Sequence, residues 1–108
     1  MSEVMHISTT DEVPGRKVIR SLGVVTGSTI RAKHIGKDIV SALRNIVGGE
    51  LKEYSEMLSE ARMQAISRME QNAREMGADA VIGMRLTTAA VAAGSAEILA
   101  YGTAVKLK

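Results

Sequence analysis

The chain has 108 residues, 45% of them apolar and 24% charged, with a formal net charge of +2, which is the size and make-up of a single globular domain spanning 1–108. It contains no cysteine, which excludes disulfides, thiolate metal sites and a cysteine nucleophile, and no window approaches the roughly 18 uninterrupted apolar residues of a membrane helix. Phe and Trp are absent and only Tyr54 and Tyr101 are aromatic, against seven methionines, so the interior must be built from aliphatic side chains, alanine and pliable Met. Such a core makes self-association worth considering. The opening Met1-Ser2-Glu3-Val4-Met5-His6 lacks the basic flank and apolar run of a secretory signal, and a cytoplasmic location is expected.

Val4 to Ser8 reads as a short strand. Pro14-Gly15 follows, the pair favoured at the centre of a type II turn. Lys17 to Ser28 then reads as a long strand. Gly23 and Gly27 fall on one face of it, which predicts a bend or a close backbone approach there. Ile30 to Gly36 is a basic connection, and Asp38 to Val47 fits a short amphipathic helix stopped by Gly48-Gly49.

The strongest pattern comes next. Leu51, Tyr54, Leu58, Ala61, Ala65, Met69, Ala73 and Met76 recur every third or fourth position, a single helical stripe. Glutamates crowd the first turns, where the helix dipole favours them, Glu70 can pair with Arg74 one turn on, and Gly77 ends the helix. After Ala78-Asp79-Ala80 the period changes to two. The corner Asp79 is expected to bond nearby backbone amides. Val81 to Val91 is a strand, Ala92-Ala93-Gly94-Ser95 a hairpin turn, and Ala96 to Leu107 the returning strand. That last strand carries Leu99, Tyr101, Thr103, Val105 and Leu107 on one face and Ala100, Gly102 and Ala104 on the other.

The order β-β-α-α-β-β predicts an α+β fold: an antiparallel sheet of two long hairpins, with one short and one long helix and one face covered. A helix of this length, at about 1.5 Å per residue, matches strands of eleven or twelve residues. The face of Ala100, Gly102 and Ala104 is too small for a solvated surface, and a neighbouring subunit is expected to cover it.

Several segments together resemble the YbjQ-like family of small bacterial and archaeal proteins, which carries a heavy-metal-binding label. They are Thr9-Thr10 with Pro14-Gly15; Leu22-Gly23-Val24-Val25-Thr26-Gly27; Gly48-Gly49-Glu50-Leu51 with Tyr54; Ala61-Arg62 with Ala65; Gly77 to Gly83; and Ala100 to Val105. The resemblance implies a dodecin-like subunit in a ring-shaped homopentamer. It carries no functional residues with it.

Candidate chemistry is sparse. Metal ligation would have to draw on His6, His34, or Glu53, Glu56 and Glu60 along one helix face, without a paired-histidine motif; a solvated acidic face is the plainer reading. Met57 and Met63, off the stripe's centre, could line a subunit contact. From Arg16 to Lys37 there are six basic residues (Arg16, Lys17, Arg20, Arg31, Lys33 and Lys37) and no acid. Repeated in a ring they could bind anions or nucleic acid, although no aromatic stacking platform or recognition helix accompanies them; pairing with the helix glutamates is the plainer alternative. No nucleophile elbow or P-loop is present. Neither catalysis nor a cofactor is expected. The partner the sequence points to is another copy of itself.

Overall fold

The structure is a computed structural model, which describes residues 5–32, 49–92 and 95–108. It is an α+β arrangement of one helix and a four-stranded sheet among the described residues. The strands are β1 (His6–Ile7), β2 (Val18–Ala32), β3 (Ala80–Ala92) and β4 (Ser95–Leu107), and the helix is α1 (Gly49–Glu75). The sheet order is β1-β3-β4-β2.

Two expectations change here. Among the described residues only β3 and β4 form a hairpin; β2 pairs antiparallel with β4, and β1 pairs parallel with β3 through His6 and Ile7. The sheet is therefore mixed, and the first two strands do not pair with each other. A two-residue strand has no period of its own, so its partner is set by tertiary contacts. The second change is that β2 runs on to Ala32, taking in Ile30 to Ala32, which were expected in the connection. The helix expected over Asp38–Val47 and the turn residues Ala93-Gly94 lie outside the described residues.

The helix ends as its sequence dictates. Gly77 takes φ +84°, a conformation that costs other residues a steric penalty. The amide of Gly77 donates to Arg74 O at 3.0 Å and that of Ala78 to Ala73 O at 3.0 Å, which is the paired bonding of a Schellman cap. Glu70 and Arg74 form the expected pair at 2.8 Å.

The stripe faces the sheet: Ala61, Ala65, Met69 and Ala73 are all fully buried. They pack on Val25, Val81, Ile98, Ala100 and Ala104, with Leu58 and Ile66 beside them. The packing is unusually close. A β-carbon on Gly27 would lie 2.1 Å from the backbone nitrogen of Met69 and 2.4 Å from Ala65 O, so helix backbone rests directly on strand backbone. Gly27 thus supplies the expected close approach. Gly23, at φ +105°, supplies the bend, sitting at a register shift between Ser21 and Gly23.

A second, smaller core lies on the opposite face at one end. Val13, Ala80 and Val105 are buried there, with Val18, Ile82 and Leu107 against them. The 11–17 loop therefore covers the end of the sheet face that α1 does not.

Candidate functional site

The row Ala100, Gly102 and Ala104 was expected to await a neighbouring subunit. The structure turns it inward: Ala100 and Ala104 have no exposed surface, and a β-carbon on Gly102 would lie 2.7 Å from Val81 Cγ1. These residues are small because α1 and β3 come so near, and nothing is left for a second chain to cover.

The surface that is open is the other face of the sheet. Its rows follow from the register: Val24, Thr103 and Ile82; Thr26, Tyr101 and Arg85; Ser28, Leu99 and Thr87; Ile30, Glu97 and Ala89. Beyond the small second core this face is uncovered by the described residues. Val24 is 74% exposed, Ile30 61% and Tyr101 38%. Apolar side chains of this kind on a strand surface can exclude water against a partner. The alternation of β4 places Leu99, Tyr101 and Thr103 together on this face.

The rim of this face is fixed by polar contacts. Arg85 Nη1 donates to Thr9 O at 3.0 Å and to Met84 O at 2.9 Å. The amide of Gly83 donates to Thr10 O at 2.8 Å, and that of Met84 to Ser8 O at 2.9 Å. Thr10 Oγ1 donates to Glu12 O at 2.8 Å and touches Ser8 Oγ. The Thr9-Thr10 stretch is thus a clamp between loop and sheet.

Asp79 also has a structural part. Its Oδ2 accepts the amide of Leu107 at 2.9 Å, and Lys106 Nζ stands 3.6 Å from Oδ1 while donating to Gly77 O at 3.0 Å. The Leu107 bond foremost, and then the Lys106 and Arg16 charges, hold the carboxyl below its ordinary pKa. The corner ties the end of β4 to the start of β3.

The described metal candidates, His6, Glu56 and Glu60, do not converge. Among the described residues no three His, Asp or Glu side chains could hold an ion together. His6 is exposed on β1 opposite Ala80, which follows directly on the C-terminal end of α1. Glu56 and Glu60 are exposed on the N-terminal half of α1, about 23 to 29 Å back from the end of the helix at its rise of ~1.5 Å per residue. His34 lies outside the described residues, and Glu53 is placed only as a position in the helix.

The described basic candidates lie toward the two ends of β2. Arg16, Lys17 and Arg20 are exposed. Arg16 Nε donates to Lys108 O at 3.1 Å. A concavity inside the loop brings Arg16 and Lys17 together with Asp11 and Glu12, acids that oppose an anion there. Arg31 is at the far end of β2, and Lys33 and Lys37 lie outside the described residues. Met63 is 69% exposed on α1, Met57 is half-buried and Met76 is 39% exposed. No described helix is long and apolar enough to cross a membrane.

Comparison with known proteins places this geometry. The YbjQ_1 family model, described as "Putative heavy-metal-binding", matches residues 5–108. A UPF0145 protein of Archaeoglobus fulgidus is 56% identical over 108 residues, covering all of both chains. One from Methanosarcina acetivorans is 60% identical over 103 residues, 95% of this chain and 97% of its own. A crystal structure of a protein of unknown function from Pediococcus pentosaceus shares the fold at a TM-score of 0.65 and 17% identity, over 96% of this chain and 98% of that one.

Proposed function

This chain belongs to the YbjQ_1 family of UPF0145 proteins, and from that membership we propose that it is a non-catalytic, cytoplasmic homo-oligomer, one domain per subunit, with a structural or ligand-binding role. Five subunits in a ring, with a dodecin-like protomer, is the arrangement that the family resemblance implies. One observation carries the reading: the outer sheet face, with Val24, Tyr101 and Ile30, lies open on the isolated chain.

Native mass spectrometry tests the reading, because it gives subunit number and any retained ligand at once.

The family's description favours a second reading, in which a metal is held by ligands from several subunits. His6, exposed at the sheet edge, would supply one nitrogen per copy. Calorimetric titration with Zn²⁺, Cu²⁺ and Ni²⁺ tests this: stoichiometric heat that His6→Ala abolishes supports it, and the absence of such heat rejects it.

A further inference from the structure

Among the described residues β2, fifteen residues long, is an edge strand of the sheet, and its middle, from Leu22 to Ile30, contains no charge and no proline. A long, regular, uncharged edge is the kind of surface to which another strand adds, because a row of amides and carbonyls faces outward without partners. Here the helix reaches round to it. Arg68 Nη1 donates to Ser28 O at 2.7 Å and lies 3.5 Å from Thr29 Oγ1; Asn72 Nδ2 donates to Thr26 O at 2.8 Å.

The spacing is what makes this possible. Arg68 and Asn72 are four residues apart on a helix, about 6 Å of rise. Thr26 and Ser28 are two apart on a strand, about 6.6 Å. The two steps nearly coincide, and Gly27 between them lets the helix backbone settle onto the strand, so the two side chains meet consecutive outward carbonyls. Thr26 and Ser28 alternate with Val25, Gly27 and Thr29, which are buried on the α1 side of the sheet.

We propose that the edge of β2 is a latent strand-addition surface for a second copy of this chain, and that Arg68 and Asn72 keep it closed by occupying the carbonyls of Ser28 and Thr26. The pair thereby directs self-association away from the sheet edge. This is independent of contact through the outer face, which uses different residues.

The test compares wild type with Arg68→Ala/Asn72→Ala by light scattering, thioflavin T fluorescence and circular dichroism. The double variant is expected to keep its helix signal, exceed the wild-type mass in a concentration-dependent way, and raise thioflavin T fluorescence severalfold. Adding Ser28→Pro removes an outward amide that β4 does not use, as proline on an edge strand can, and is expected to restore the wild-type mass. Ser28→Pro alone should leave that mass unchanged. A folded double variant with wild-type mass and no thioflavin T signal overturns the proposal, as does association that Ser28→Pro fails to suppress. If the double variant does not fold, Arg68→Met, which keeps helix propensity and length but has no donor, is read by the same criteria.

Discussion

Gly27 of β2 lies directly beneath Met69 of α1, so close that a β-carbon there would stand 2.1 Å from the Met69 nitrogen and 2.7 Å from its Cα. The obstacle is helix backbone, which cannot turn aside as a side chain can. Gly27→Ala must therefore lift the helix off the strand and open the contacts of Ala61, Ala65 and Ala73. Overpacking of this kind costs about 3 kcal/mol or more, which corresponds to a Tm lower by roughly 10–20 °C. Thermal unfolding followed by circular dichroism checks it.

The two faces of the sheet should separate in their effects. Ala104 is fully buried, and Ala104→Leu forces volume into a closed interior, so it is expected to destabilise by about 1–3 kcal/mol. Val24 is 74% exposed, and Val24→Lys is expected to leave the protomer's stability within about 0.5 kcal/mol while disrupting assembly through the outer face. Denaturant midpoints on diluted protein, alongside light scattering at high concentration, distinguish the two.

Asp79 gives a pH dependence whose sign follows from its environment. Its pKa is lowered in the folded state, chiefly by the Leu107 amide and then by Lys106. The carboxylate thus contributes stability above its unfolded pKa, and that contribution is lost as pH falls through the folded value. Asp79→Asn should leave a flatter stability profile below about pH 5, with little change in its slope near neutrality. Urea midpoints between pH 2 and 7 read this directly.

Much of the scaffold could be read from periodicity. Of the stripe expected from Leu51 to Met76, Leu58, Ala61, Ala65, Met69 and Ala73 face the sheet while Met76 is exposed at the helix end, and the alternation expected in the last strand separates Ala100, Gly102 and Ala104 from Tyr101, because burial on one side of a regular element leaves a regular trace. Gly77 and the Glu70–Arg74 pair were legible for the same local reason. Two things were not. The partner of His6 and Ile7 is determined by the distant Ala80 and Val81, and nothing in a two-residue strand announces it. The row Ala100, Gly102 and Ala104 looked too small to be interior, yet small side chains are what an interior needs when helix and strand backbones nearly touch. The exposed face is the one holding Val24 and Tyr101.

The account as a whole depends on a second copy covering that outer face. Native mass spectrometry of the purified protein, at micromolar concentration and physiological ionic strength, tests this most directly. The account predicts a species at five times the 11.5 kDa chain mass that Val24→Lys dissociates while the protomer stays folded; a wild-type protein found at 11.5 kDa alone would contradict it.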